Sequence, residues 1–160
     1  MLHLVFGVPS LHHQHKHINS IVPEATIVMH RIRNKYSYRY CKKVLRKHVL
    51  LGTRSIVLMF PDMGLHDFDQ LLLGDALIRY RHDFDNIVVV SHSEHIMLRV
   101  LRRIRETTDN EVEHTVAIQY DEVKVYYISN EYFARIGCKP NGTFDRRWPD
   151  GFFALRTQEL

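Results

Sequence analysis

The chain has only two cysteines, Cys41 and Cys138, far apart in sequence and in no paired ligand spacing. A disulfide framework and a cysteine-built zinc site are therefore not expected, and two free thiols suit a reducing cytoplasm. Its seven glycines stand at positions 7, 52, 64, 74, 137, 142 and 151, and none lies five residues ahead of a Gly-Lys pair. The phosphate cradle G-x-x-x-x-G-K-[ST] is thus missing. No apolar run reaches the eighteen residues of a membrane-spanning helix. The opening Leu2-His3-Leu4-Val5-Phe6 is short and has no basic leader, so a secretory signal is not expected. Acid is scarce at the front. Up to Arg54 the basic residues are Lys16, Arg31, Arg33, Lys35, Arg39, Lys42, Lys43, Arg46, Lys47 and Arg54, against the single acid Glu24. That segment carries about +9, and the rest about −5, within a total of +4.

With 160 residues the chain is one domain's worth, enough to bury about two-thirds of its unfolded surface. The charge split divides it into a basic, His-rich segment, residues 1–54, and the remainder, 55–160. The front therefore faces something anionic: nucleic acid, an acidic protein, or the chain's own second half. Arg31, Arg33, Lys35, Arg39, Lys42, Lys43, Arg46 and Lys47 alternate with Tyr36, Tyr38 and Tyr40, a composition suited to phosphate contacts and base stacking, although it fits no named nucleic-acid module. The tract His12-His13-Gln14-His15-Lys16-His17 lies between Pro9 and Pro23 and reads as loop. It has no carboxylate or cysteine to complete a rigid metal site, and no metal is expected there.

Periodicity gives the elements. Ile27, Met29, Ile32, Tyr36, Tyr40, Val44 and Val49 predict a helix over 23–49, closed by Gly52-Thr53. Ile56 to Phe60 is a short β-branched run stopped by Pro61-Asp62, a buried strand. Residues 66–82 read as a helix with Phe68, Leu71, Leu72, Ala76, Leu77 and Tyr80 inward. A second strand, 86–91, feeds a helix from Glu94 to Thr107, whose Ile96, Leu98, Val100, Leu101 and Ile104 oppose Arg99, Arg102, Arg103 and Arg105. Strand, helix, strand, helix argues a parallel βαβ unit. Beyond Asn110, Val123–Ile128 and Phe133–Cys138 flank a Ser129-Asn130-Glu131 turn, an antiparallel hairpin, and Asn141-Gly142 is a further turn. Trp148 and Phe152-Phe153 are expected to dock the tail on the sheet. The fold class is α/β: a partial parallel βαβ sheet with helices, then a hairpin and an ordered tail.

The elbow Ser91-His92-Ser93-Glu94-His95 places His92 at the carboxyl end of a buried strand, where open α/β sheets hold ligands. Ser93 suits a helix N-cap and Glu94 the positive end of the helix dipole. This segment resembles the T-H-S-[ED]-H-L element of ABC-type and OLD-like AAA ATPases. Asn141 to Phe153 is similar to the D-G-x-[FI]-x-x-x-W-P-x-G-F-F tail found in a bacterial group of them. The resemblance covers residues 55 to 155. It implies the carboxyl-terminal half of an ATPase head, in which His92, flanked by Ser91 and Ser93, would sense a nucleotide's terminal phosphate.

The strand that should end L-L-I-E-[QE]-P-E-x-x-L-H-P reads Ile56-Val57-Leu58-Met59-Phe60-Pro61-Asp62-Met63-Gly64-Leu65-His66-Asp67. Pro61, Asp62, Leu65 and His66 fit; Met59 and Phe60 replace the metal-binding and catalytic acids. A thioether and a phenyl ring cannot hold Mg²⁺ or polarise water. No catalytic residue and no cofactor are expected. What the resemblance implies is a non-catalytic pseudo-ATPase-like subunit in the cytoplasm. It would work through protein–protein assembly, with itself or with a full-length ATPase in a bacterial defence or mobile-element system. The alternatives are a nucleic-acid-binding protein using residues 31–47, and a split ATPase subunit lending His92 to a partner's site. Because His92 lacks the usual phosphate-binding context in this chain, it is expected rather as a core residue bonded to a neighbouring backbone carbonyl than as a phosphate sensor.

Overall fold

The computed structural model describes residues 1–7, 17–23, 25–29, 38–129 and 133–148. Its regular elements are β1 (Leu2–Phe6), β2 (Thr26–Met29), α1 (Tyr38–Leu50), β3 (Ser55–Met59), α2 (Asp67–Tyr80), β4 (Asn86–Val90), α3 (Glu94–Thr108), β5 (Val123–Ile128) and β6 (Phe133–Ile136). The chain is mixed α/β. Six strands form one sheet in the order β2-β3-β4-β1-β5-β6. The first five are parallel, and β6 closes the sheet as the antiparallel arm of a hairpin with β5.

Hydrophobic runs explain the centre. All five residues of β1 are buried, and so are four each in β3 and β4. Strands covered on both faces need no alternation of apolar and polar residues. One face carries Leu2, Leu4, Phe6, Ile56, Leu58, Ile87, Val89 and Val125, packed against Leu45 of α1, Leu73 and Leu77 of α2 and Val100 and Ile104 of α3. The opposite face carries Val5, Val57, Met59, Val88, Val90 and Ile128, packed against Ile18 of the helical turn at residues 17–21 and Val22 just after it.

This two-sided cover follows from the strand order. The connection from β1 runs outward to β2, while those after β2, β3 and β4 run the other way. Right-handed crossovers in opposite directions must lie on opposite faces. Helices α1, α2 and α3 share one face, and the β1–β2 connection holds the other.

Several expectations change. The charge boundary at residue 54 is no break in the sheet, because β1 pairs with β4 and β5 at its centre and β2 pairs with β3. The front of the chain supplies two strands of the same sheet. The helix expected over 23–49 is strand β2 followed by the shorter α1. Thr26–Met29 is drawn into the sheet by its register with Ile56–Met59, and tertiary pairing overrides a loose three-to-four spacing. Phe68, expected inward, is 69% exposed; α2 buries Leu73 to Ile78 instead.

The hairpin and the helices after β3 and β4 lie where periodicity puts them. Trp148 is buried, and its ring meets Phe6, Tyr127 and Phe144 edge-on at 6.0, 6.1 and 5.1 Å. Gly142 (φ 74°) lies so close to α3 that an added Cβ would strike the Leu101 carbonyl oxygen. Phe152 and Phe153, and the turn at 130–131, lie outside the described residues. Among the described residues no helix is long and apolar enough to cross a membrane.

Candidate functional site

An open parallel sheet binds ligands where adjacent strands send their following connections to opposite faces. Here that place is the carboxyl end of β1 beside β4. Gly7 follows β1, Ser91-His92-Ser93 follows β4, and Phe60-Pro61-Asp62 follows β3. Backbone bonds fix the three ends together: Ser91 N donates to Val5 O at 3.0 Å, and Phe60 N donates to Val90 O at 2.7 Å. Gly7 has φ 113°, and a Cβ there would strike the Ile128 carbonyl oxygen, so the chain turns away from β1 hard against the end of β5.

The elbow after β4 is built from hydroxyls. Ser91 is fully buried, and its Oγ accepts from Ser93 N at 2.9 Å. Ser93 caps α3 as its residue type suggests: its Oγ accepts from Ile96 N at 3.2 Å. The same hydroxyl donates to Gln70 Oε1 on the first turn of α2. Gln70 Nε2 in turn donates to Leu65 O at 2.9 Å. The two serines are therefore committed to positioning the elbow. His95 does not enter the site; its Nε2 lies 3.3 Å from Asp67 Oδ1.

His92 stands out of the elbow. It is exposed rather than bonded in the core, and its ring stacks on Phe60 with centroids 5.0 Å apart and planes 18° off parallel. Phe60 has φ 51°, a left-handed conformation uncommon for a bulky aromatic residue. Such a backbone costs of the order of 1–3 kcal/mol and persists only where its surroundings hold it. The short bond to Val90 O and the stack on His92 are those surroundings here. Met59, one residue earlier, is 2% exposed and packs in the core with Val5, Val57, Val88 and Val90.

Asp62 is the carboxylate that sequence reasoning passed over. It fitted the strand-end pattern but was given no role. It is 8% exposed, and its Oδ1 is buried without a hydrogen-bond partner among the described residues. Burial raises its pKa; the Ser91 hydroxyl, its own and the His92 backbone N–H groups and the His92 ring act the other way. Its neighbour Cys41 is buried on α1, with the thiol donating to Pro61 O at 3.6 Å and a pKa pushed up to about 11 by burial and the Asp62 carboxylate. A thiol held protonated in this way is no nucleophile. Among the described residues no three His, Cys, Asp or Glu side chains gather as a metal site.

Comparison with protein-family models, with curated proteins and with solved structures finds no match.

The cationic candidates divide. Arg31, Arg33 and Lys35 lie outside the described residues, as do His12, His13 and His15. Arg39, Lys42, Lys43, Arg46 and Lys47 all lie on α1 and are all exposed. Residue His17 of the histidine tract is half-buried and stacks on Phe133 at 4.8 Å. The basic helix touches the end of β3: the Cys41–Pro61 bond ties the first turn of α1 to the turn that carries Phe60.

Proposed function

We propose that this chain is a non-catalytic, ATPase-like subunit that acts by assembling with another protein chain. The carboxyl end of β3 carries this proposal. Hydrolysis of a triphosphate needs carboxylate oxygens there, to hold Mg²⁺ and to orient water. Met59 is packed into the core and Phe60 lies against His92. Asp62, two residues beyond Phe60, is buried, and burial raises its pKa. A carboxyl buried in this way is poorly placed to hold a hard cation. The exposed His92, in the place where the resembled ATPases sense phosphate, is engaged with an aromatic ring.

Assembly is supported by what the fold leaves outermost. β2 and β6 are the outer strands of the sheet, each four residues long. Outer strands are ready to pair unless covered. Leu50, Leu51, Phe68 and Phe133 are exposed apolar side chains at 79%, 66%, 69% and 41%. A full-length ATPase of the resembled kind, or a second copy of this chain, could cover these strands and side chains.

Two measurements test the proposal. Calorimetric titration of the purified chain with Mg-ATP should give no binding heat. Light scattering over a wide concentration range should give a mass above the 19.0 kDa of the single chain. ATP turnover by the chain alone, lost on His92→Ala, would overturn the proposal.

A further inference from the structure

The cations of α1 form one stripe. Arg39, Lys42, Lys43, Arg46 and Lys47 recur at intervals of three and four, so they share a helix face, while Cys41 and Leu45 are buried in the core. The stripe runs for about 12 Å along the helix axis.

None of the five forms an ion pair among the described residues. Four acids of the second half are bonded to other arginines. Asp75 is shared by Arg99 and Arg103, Glu106 by Arg102 and Arg103, Glu122 bonds Arg81, and Asp85 bonds Arg54. Among the described residues, no acid of the second half pairs with this helix. The first turn of α1 also holds no acid. Like charges three and four residues apart destabilise a helix, and α1 sets Arg39 against Lys42 and Lys43, Lys42 against Arg46, and Lys43 against Arg46 and Lys47. A helix arranged against its own electrostatics gains stability from an anionic partner laid along it.

A second feature lies beside the first turn of α1, on its buried side. The Cys41 thiol bonds Pro61 O, which brings the amino-terminal turn of α1 to the Phe60–His92 pair. His92 is exposed, and Tyr40 beside Arg39 is 46% exposed. Flat rings in the neighbourhood of a cationic helix suit a single-stranded nucleic acid: cations follow its phosphates and rings stack its bases. An acidic protein would use the cations but gain nothing specific from the stacked pair.

We propose that α1 binds the sugar–phosphate backbone of single-stranded nucleic acid, with one base stacked on the outer face of His92. This goes beyond assembly with another chain and does not depend on it.

The test is fluorescence anisotropy of the full chain with a labelled twenty-nucleotide oligothymidine, its RNA counterpart, a twenty-base-pair DNA duplex, and polyglutamate as competitor. Both single strands should bind, and log affinity should fall with log salt at a slope of about −3.5 if all five cations contact phosphates. Replacing Arg39, Lys42 and Lys43 together by Glu should weaken binding at least roughly 100-fold at low salt and flatten the slope. His92→Ala, an exposed substitution, should lose about 10-fold and leave the slope unchanged. Comparing the DNA and RNA strands identifies the preferred backbone. Three outcomes would overturn the proposal: no salt-dependent binding of either strand, a triple variant that binds like the parent while keeping its circular dichroism, or displacement by polyglutamate at lower concentration than by unlabelled strand. Duplex binding as tight as single strand, or His92→Ala indistinguishable from the parent, would remove the stacked base.

Discussion

Asp75 of α2 accepts two hydrogen bonds from Arg99 of α3, at 2.9 Å from Nε and 2.7 Å from Nη2. Arg103, one turn further along α3, bonds the same carboxylate at 2.9 and 3.0 Å. Gly74 makes this possible, because a Cβ there would sit 3.0 Å from Arg99 Cγ and 3.1 Å from its Cβ. Although burial pushes the Asp75 carboxyl up, the two guanidinium groups bring it below its ordinary range. Removing the carboxylate leaves two cations on a largely buried seam. Asp75→Ala is expected to cost about 2–3 kcal/mol, a discount on the usual cost of breaking a buried pair because both arginines keep some contact with water. Urea denaturation checks it, and Asp75→Asn should fall between parent and Ala.

His3 should make stability depend on pH. It is 3% exposed, its Nε2 lies 3.0 Å from Asn86 Oδ1, and its ring stacks on Tyr126. Burial lowers its pKa from 6.5 to about 4. Between those values the unfolded chain binds a proton that the folded chain refuses, so stability rises with pH across the window. This contribution is fully present above pH 6.5 and is lost as pH falls to about 4. The shift corresponds to roughly 3 kcal/mol at most. His3→Phe, which preserves the stack, should flatten the fall in melting temperature over that range. An unchanged profile would show that His3 is not the group responsible.

Gly7 should tolerate no side chain. Its φ of 113° is unfavourable for any L residue, and the Ile128 carbonyl occupies the place of a Cβ. Gly7→Ala is expected to destabilise by about 3 kcal/mol or more, since backbone conflict adds to the clash. The measurement is the midpoint of thermal unfolding beside that of Gly142→Ala, where φ is 74° and the Leu101 carbonyl blocks in the same way.

Much of the fold was legible because amphipathic helices announce themselves. α3 separates Ile96, Val100, Leu101 and Ile104 from its arginines, and the structure buries those four residues. β1 gave no such pattern: Leu2 to Phe6 are buried on both faces, so no alternation marks them. β2 is four residues long and owes its conformation to Ile56–Met59 beside it, a partner no local window contains. At the candidate site the type of residue was informative and its setting was not. Met59 and Phe60 were recognised as unable to hold a metal. That Phe60 would adopt φ 51° and lie on His92 depends on two loops thirty residues apart. Asp62 was readable as a carboxyl after a strand, but its burial arises from the packing of α1 and the β4 elbow around it.

Asp62 gives the sharpest test of the site's electrostatics. Its Oδ1 is buried without a partner among the described residues, and burial raises its pKa above the ordinary 3.8. A group whose folded pKa is raised contributes stability that is fully present below the unfolded value and is lost as pH rises through the folded one. At neutral pH the parent therefore bears either a buried charge or the work of keeping the acid protonated. Asparagine has nearly the same shape and no charge to desolvate. Asp62→Asn should melt at a higher temperature than the parent at pH 7, and the gap should close as pH falls below 3.8, where both side chains are neutral. A variant less stable than the parent at pH 7 would mean that Ser91 and the His92 N–H outweigh burial and hold the carboxylate charged. The carboxyl end of β3 would then carry the anionic oxygen that a cation needs, and the proposal of a non-catalytic subunit would lose its main support.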